Sequence, residues 1–405
     1  PANGRLYGCR AQMVIFPLPP LTVVLLVIVL AFVGAILSEK LRISYTTIMI
    51  ALGLSLSLAR VAGGLAAAPL EREIILGLVV PPLIFEAAMR TRYEVFRTVR
   101  RTVLLLAIVG VIISALVSGF VLSIAFALPL VVAFTFGIIV SPTDPVSVVN
   151  ILKRMKAPER LTTALESEAY FNDATAVVLY PIALSLTFRP LQDVTLFAFT
   201  FGGGVLVGLT VSGIAELLYR LITEPLAETS FTIAVMFGSY ALAESLGVSG
   251  LVAVAIAGIY MGNRTMHLAM SKETRDTMTR FWEVVTFMVT SFAFLMLGLK
   301  ADFSLLVAFS PFILAAFAAI LLGRMLSVYP ITGLANLTGE KVPSSWTKIL
   351  AMAGLRGVIS VTLALSLPEG FPYRETIVAM TFGVALLSLI VQGELLQLYL
   401  KRVKL

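Results

Sequence analysis

Residues 129–151 read PLVVAFTFGIIVSPTDPVSVVNI. The stretch opens as an apolar helix, but Pro142 and Pro145 then fall within four residues, and neither supplies the backbone N–H that a helical ladder needs. A regular helix therefore stops near Ser141 and restarts after Pro145, in the middle of a segment long enough to be buried. A second long segment, 344–367, is interrupted in a comparable way by Gly354-Leu355-Arg356-Gly357, where two glycines flank a charge.

The composition around these interruptions is that of a bilayer protein. Of 405 residues, 59% are hydrophobic and 13% charged, with a mean hydropathy of +1.00; a soluble protein is about 45–50% apolar and 25% charged. At roughly 20 residues per crossing, the apolar runs predict an all-α membrane protein with about thirteen spans, near 20–38, 44–63, 73–90, 102–126, 129–151, 160–188, 195–222, 228–246, 248–262, 281–299, 303–330, 344–367 and 374–398. The connections are too short for a separate soluble domain, so 1–405 reads as one transmembrane unit. Leu21 to Leu37 reads as the first membrane helix rather than a cleaved signal, because Ser38-Glu39-Lys40 follows it without a small-residue cleavage pattern. A single cysteine, Cys9, excludes an intramolecular disulfide, and a single histidine, His267, argues against zinc or haem; no cofactor is expected. The net charge of +7 belongs to loops rather than to nucleic-acid binding.

Most of the 30 basic residues lie in connections after odd-numbered spans, among them Arg90, Arg92, Arg97, Arg100 and Arg101, then Lys153, Arg154, Lys156 and Arg160, with Lys401, Arg402 and Lys404 at the end. Positive charge collects on the cytoplasmic side, which puts the N-terminus outside and the C-terminus inside. Only Arg324 and Arg356 remain within spans. The interrupted spans are the fifth and the twelfth, and an odd offset of seven inverts one relative to the other. That predicts inverted repeats at 14–194 (spans 1–6) and 228–400 (spans 8–13), linked by span 7 at 195–222. Paired discontinuous helices in such repeats mark a secondary transporter with a midplane site.

Ionisable groups at the bilayer centre cost about 2.5–3.5 kcal/mol each on insertion scales, which directs attention to Glu86, Asp144, Glu166, Glu168, Asp173 and Arg356. Three of these acids share Glu166-Ser167-Glu168-Ala169-Tyr170-Phe171-Asn172-Asp173. Helical offsets of four and seven return within about 40°, so Glu166, Ala169 and Asp173 share a face while Glu168 points elsewhere. Asp173 is the expected transport carboxylate: out of water, near neutral pH, it holds either a proton or a hard monovalent cation. Because its neighbour is the neutral Asn172, one cation displaces one proton and exchange is electroneutral. Asn172, Thr143 and Asp144 add oxygen ligands, which places Na+ at Asp173, Asp144 and Thr143. Glu166 draws cations into an inner funnel. Glu168 needs a partner, and Arg356, the one strongly charged group expected at its depth, is predicted to pair with it.

With these residues in view, the sequence resembles the monovalent cation:proton antiporter family of the NhaP and NHE type over nearly its whole length. The resemblance is carried by Pro81-Pro82-Leu83-Ile84-Phe85-Glu86, Ser141-Pro142-Thr143-Asp144-Pro145-Val146, Glu168 with Asn172-Asp173, Ala243-Glu244-Ser245-Leu246-Gly247-Val248-Ser249-Gly250, Phe281-Trp282-Glu283, Gly323-Arg324 with Val328-Tyr329, and Gly354-Leu355-Arg356-Gly357. It implies an NhaA-like fold with crossed broken helices, a core and a dimerisation domain, a homodimer, and elevator-type alternation. It further implies ion and proton exchange at Asp173, a site lined by Thr143 and Asp144, a structural ion pair of Glu168 with Arg356, and a membrane acid, Glu86, near the cation path. The expected activity is Na+ (or Li+) exchange for H+, serving pH homeostasis in a prokaryotic plasma membrane; it is transport, not enzymatic catalysis. Many members carry a serine where this chain has Ala169, which removes one cation ligand and leaves a K+/H+ antiporter of the same fold as the alternative. An intramembrane aspartyl protease would need Tyr-Asp and Gly-x-Gly-Asp signatures, which are absent.

Other features read more plainly. Gly202-Gly203-Gly204 with Gly208 lies in an apolar span and signals close helix packing. His267 reads as a solvated loop residue, Glu244 and Glu283 as interfacial acids, and Arg324 as near a span end, either snorkelling or touching the core. The Arg90–Arg101 cluster reads as topological, with binding of anionic lipid as the alternative.

Overall fold

The computed structural model describes residues 20–41, 43–58, 72–187, 189–222, 224–268 and 270–402, and every regular element among them is helical. Cys9, Arg5, Arg10, Arg60 and the expected end of the second span at 59–63 lie outside the described residues. The helices are α1 (Pro20–Leu41), α2 (Tyr45–Leu58), α3 (72–90), α4 (Tyr93–Phe96), α5 (Arg100–Phe126), α6 (Leu130–Ile139), α7 (Val146–Arg154), α8 (Glu159–Leu184) and α9 (Pro190–Tyr219) in the first half. They continue as α10 (Pro225–Ser245), α11 (250–268), α12 (Lys272–Lys300), α13 (Phe303–Ala308), α14 (Ser310–Leu337), α15 (Ser344–Met352), α16 (Val358–Leu365) and α17 (374–402). Six of them, α5, α9, α10, α12, α14 and α17, are long and apolar enough to cross a membrane. Large apolar side chains face outward along them, as with Leu191, Phe199 and Leu206 on α9. The chain is a multi-pass membrane protein.

Both interruptions fall where Pro and Gly place them. Helix α6 ends before Pro142, since a residue preceding proline avoids the helical region, and α7 resumes after Pro145. Between α15 and α16 the chain is non-helical at 354–357. The division of α10 from α11, signalled only by Gly247-Val248-Ser249-Gly250, is sharp: Gly247 takes φ +69°, and Ser249 caps α11 by accepting from the Val252 N–H. Glu244, read as an interfacial acid, is exposed and also accepts the Gly250 N–H at 2.9 Å.

Two helix boundaries differ from the sequence reading. Helix α12 begins at Lys272, nine residues before the expected 281, because Ser271 caps it through the Thr274 N–H at 3.1 Å. Its first turns are polar, so hydropathy alone misses them. The eleventh span, expected at 303–330, is a short α13 followed by α14 from Ser310 to Leu337. Pro311 starts that helix, a favoured position for proline. The shift of seven residues carries Arg324 from a helix end to mid-helix.

The helices pack as two groups. In one, α2 lies along α12, and α11 packs on α3, α9 and α10; in the other, α5 packs on α6 and α14, and α17 on α14 and α16. Helix α8 runs between them, touching α3, α9 and α11 on one side and α5 and α6 on the other. The α2–α12 contact is a backbone-to-backbone meeting: a methyl on Gly53 would strike the Leu295 carbonyl, and one on Gly298 the Ile50 carbonyl. Gly204 and Gly208 likewise face the carbonyls of Ser249, the cap of α11, and of Ala253 within it, and Gly203 faces Val248, so these three glycines serve close packing while Gly202 faces open space.

Candidate functional site

Helix α8 carries three of its four acids, Glu166, Glu168 and Asp173, inside the protein, and only Glu159 at its start is exposed. From Leu161 to Ala176 nearly every position is buried, and Asp173 is 8% and Glu168 2% exposed. Glu166, Ala169 and Asp173, which share a face by helical spacing, line one cavity of about 460 Å³ together with Tyr170, and Glu168 is not among its lining residues. The cavity lies between the two helix groups. Tyr45 of α2, Glu86 and Arg90 of α3, and Glu283, Thr290 and Phe294 of α12 form one wall. Thr143, Asp144, Lys153, the α8 face and Gly357 form the other.

The two interruptions are joined to each other beside this cavity. The unwound backbone frees polar groups from helical pairing, and they find partners across the gap: the Asp144 N–H donates to the Leu355 carbonyl at 2.8 Å, and the Arg356 guanidinium (Nη1) donates to the Ser141 carbonyl at 2.7 Å. The Arg356 N–H donates to Ser388 Oγ at 2.9 Å, tying in α17. Gly357 permits the contact, since a Cβ there would sit 3.0 Å from the Asp144 Cβ. The Ser141 carbonyl, left without a helical partner by the break, is thus engaged by Arg356.

Thr143 is held by Asn172. The Asn172 carbonyl oxygen accepts the Thr143 N–H at 3.2 Å, and its amide donates to Thr143 Oγ1 at 2.7 Å. Asn172 thereby spends both ends on Thr143 and is not among the residues lining the cavity, whereas Thr143 keeps a lone pair and its proton. Asp144 Oδ1 accepts from the Val146 N–H at 3.3 Å. Asp144 Oδ2 and Asp173 Oδ1 are buried and have no hydrogen-bond partner. A buried acceptor left unsatisfied costs about 1–3 kcal/mol, more when charged, and among the described residues these are the two carboxylate oxygens of the cavity lining left in that state.

At the exposed end of the cavity, charges are paired. Glu86 forms an ion pair with Arg90 one turn on, and Arg90 Nη2 also reaches Glu283 Oε1 at 2.8 Å. Lys153 Nζ meets Glu166 Oε1 at 2.8 Å, with Lys153 half exposed and Glu166 14%. Glu166 is therefore not a bare funnel charge, and Glu283, read as an interfacial acid, belongs to the cavity rim. The sequence reading missed Arg90 and Lys153 as rim residues because both look like topological loop charge.

The predicted Glu168–Arg356 pair is replaced by another. Arg324 from α14 grips Glu168 through two hydrogen bonds, Nη1 to Oε1 and Nη2 to Oε2, the latter 2.9 Å. Its Nε and Nη2 also donate to the Leu350 carbonyl in the last turn of α15, at 3.2 and 2.9 Å. The physical reason is the helix register described above: α14 ends at Leu337, so Arg324 lies at the depth of Glu168, and Pro311 was the signal that would have placed it there. Arg356, 3% exposed, serves the break backbone instead. Its Nε has no hydrogen-bond partner.

Thr290 lines the cavity, and its neighbour Ser291 bonds Tyr45 Oη at 2.5 Å and the Phe287 carbonyl at 2.6 Å. His267 is exposed, with Nδ1 3.4 Å from Arg275 Nη1.

This arrangement has close counterparts. The family model described as sodium/hydrogen exchanger, transmembrane, matches residues 27–402. The chain is 34% identical over 372 residues to the Na(+)/H(+) antiporter ApNhaP of Aphanothece halophytica, covering 89% of this chain and 70% of that protein. It is 36% identical over 336 residues to the Na(+)/H(+) antiporter NhaH of Halobacillus dabanensis, covering 81% and 82%. The solved structure of the sodium proton antiporter MjNhaP1 from Methanocaldococcus jannaschii superposes with a TM-score of 0.75 at 26% identity, over 95% of this chain and 99% of that one. The buried acids of α8, the joined helix breaks and a match across almost the full sequence lead to one conclusion: the chain belongs to the sodium/hydrogen exchanger family, a family of membrane antiporters rather than enzymes.

Proposed function

We propose that this protein exchanges Na+ or Li+ for H+, with cation and proton competing for Asp173. The observation that carries the proposal is the pair of unpartnered buried oxygens, Asp173 Oδ1 and Asp144 Oδ2, on one cavity. Thr143 supplies a further oxygen to Na+, and Asn172 acts by holding Thr143 in place. Where Asp144 keeps its protonation state, one cation replaces one proton at Asp173 and no net charge moves. The antiporter names borne by the relatives support the same reading.

The cavity wall geometry supports an elevator. One wall belongs to the α2–α3–α12 side and the other to the helix breaks and α8, so displacement of one group against the other changes which end of the cavity is open. Counting α6–α7 and α15–α16 as single interrupted spans, and leaving out α4 and α13 as too short to cross, gives thirteen passes, with inverted repeats at 14–194 and 228–400 around α9, the N-terminus outside and the C-terminus in the cytoplasm. A homodimer, a plasma-membrane location and a role in pH homeostasis complete the proposal.

The test is reconstitution into proteoliposomes with an internal pH dye, adding sodium, lithium or potassium. Sodium- and lithium-driven proton flux that is insensitive to an imposed membrane potential is the expected result. Flux with potassium alone would overturn the ion assignment, and potential-dependent flux would overturn the one-for-one stoichiometry.

A further inference from the structure

A second cleft, of about 450 Å³, lies away from the cation cavity and is lined by Arg97, Arg100, Arg101, Arg160, Lys341 and Glu340, with Thr98, Thr338 and Gly339. Three separate stretches of chain build it: the α4–α5 corner, the first turn of α8, and the α14–α15 connection. Five cationic side chains face one acid, and that acid does not neutralise them. Glu340 accepts the Arg101 and Thr102 N–H groups at 2.8 and 2.9 Å and the Thr102 hydroxyl at 2.7 Å, which satisfies the start of α5.

Two arginines of the cleft, Arg160 and Arg101, are positioned by neutral groups. Arg160 Nε donates to Thr98 Oγ1 at 3.0 Å, and its guanidinium lies 5.6 Å over the Trp346 ring. Arg101 Nη1 donates to the Thr338 carbonyl at 2.5 Å. Arg97, Arg100 and Lys341 are exposed and have no side-chain hydrogen bond or ion pair among the described residues. Loop charge that merely orients a membrane protein needs no walls and no stacking partner. Here like charges from distant segments are gathered and held around a space, an arrangement that an anion stabilises.

We propose that this cleft binds a phosphate-bearing anion, with Arg97, Arg100 and Lys341 as the principal contacts. Guanidinium forks match phosphate oxygens in pairs. Arg100 is also the first residue of a membrane-length helix, which sets the cleft at headgroup depth, where basic clusters meet anionic lipid. A bound anion would bridge α5, α8 and the α14–α15 connection, and so brace the helices that carry Asp173, Glu168 and Arg324.

The experiment is thermal unfolding of the purified full chain in neutral detergent, in two arms. One adds phosphatidylglycerol against phosphatidylcholine; the other adds pyrophosphate against chloride, both as Tris salts at matched ionic strength so that sodium is absent. A rise in the unfolding midpoint in the lipid arm alone identifies a headgroup, and a rise with pyrophosphate identifies a free phosphate compound; either supports the cleft. The triple variant R97Q/R100Q/K341Q should need at least tenfold more ligand for half the effect, while Lys272→Gln, an exposed charge elsewhere, should respond as the native chain does. Since the three side chains make no hydrogen bond or ion pair among the described residues, folding should survive, and Arg97→Gln alone gives a smaller weakening if the triple variant does not fold. No rise in either arm, or variants that respond like the native chain, would overturn the proposal.

Discussion

Glu168 of α8 and Arg324 of α14 meet as a two-pronged ion pair with side chains only 2% and 8% exposed, and the arginine continues to the Leu350 carbonyl of α15. Three helices are thereby fixed at one point next to the proposed exchange site. Removing one partner of such a pair costs about 3–5 kcal/mol because the other is left as a bare buried charge. Arg324→Leu should therefore lower the unfolding midpoint sharply. Glu168→Gln should be milder, since Arg324 keeps its bonds to Leu350. Arg356→Leu leaves one carbonyl unmet, worth about 1–3 kcal/mol. Thermal unfolding in detergent gives the ranking, and an Arg356→Leu variant as damaged as Arg324→Leu would contradict the observed pairing.

The proposed competition at Asp173 has a defined pH signature. As pH falls, protons occupy the carboxylate and exclude the cation, so the apparent sodium affinity should weaken, approaching tenfold per pH unit once the protonated form dominates. Asp173→Asn should abolish cation-driven proton flux while leaving the protein folded, because the side chain keeps its shape. Sodium-dependent flux measured between pH 6 and 9 checks both outcomes, and residual exchange in Asp173→Asn would end the one-carboxylate mechanism.

Ala169 lines the cavity one helical turn before Asp173. Ala169→Ser should return a hydroxyl to the cation and tighten sodium and lithium binding by about 1 kcal/mol, roughly fivefold. Apparent affinities from dye traces would show it, and an unchanged value would mean that the cation is fully coordinated without position 169.

Lys153 stands at the cavity rim against Glu166. Neutralising it with Lys153→Gln removes a positive charge from the entry and frees a carboxylate, so the sodium KM should fall about two- to fivefold at low ionic strength. The effect should shrink as inert salt is raised, because a Debye length of about 8 Å at 0.15 M screens an exposed pair. A KM that ignores ionic strength would assign Lys153 a packing role instead.

The sequence made the helix breaks legible because proline and glycine act locally: Pro142 and Pro145 forbid a continued ladder whatever packs around them. The shared face of Glu166, Ala169 and Asp173 was equally readable, since helical spacing survives any tertiary arrangement. The partner of Glu168 was not. Choosing between two buried arginines depended on where α14 starts, and a seven-residue shift at Ser310 decided it. Asn172 was read as an ion ligand, yet both its polar ends turn to Thr143, a choice between neighbours that spacing does not encode. The rim pairs were missed for a similar reason, as Arg90 and Lys153 look identical in sequence to charges that only set topology.

The glycine contact between α2 and α12 has a mechanical consequence. Where Gly53 and Gly298 bring two backbones together, neither helix slides past the other without driving a carbonyl into the opposite chain. Tyr45, Glu283, Thr290 and Phe294 therefore form a stiff pane of the cavity, and under the proposed elevator the moving part is the facing pane of helix breaks and α8. A covalent link fastening α2 to α12 should leave exchange running, and one fastening α8 to α12 across the cavity should stop it.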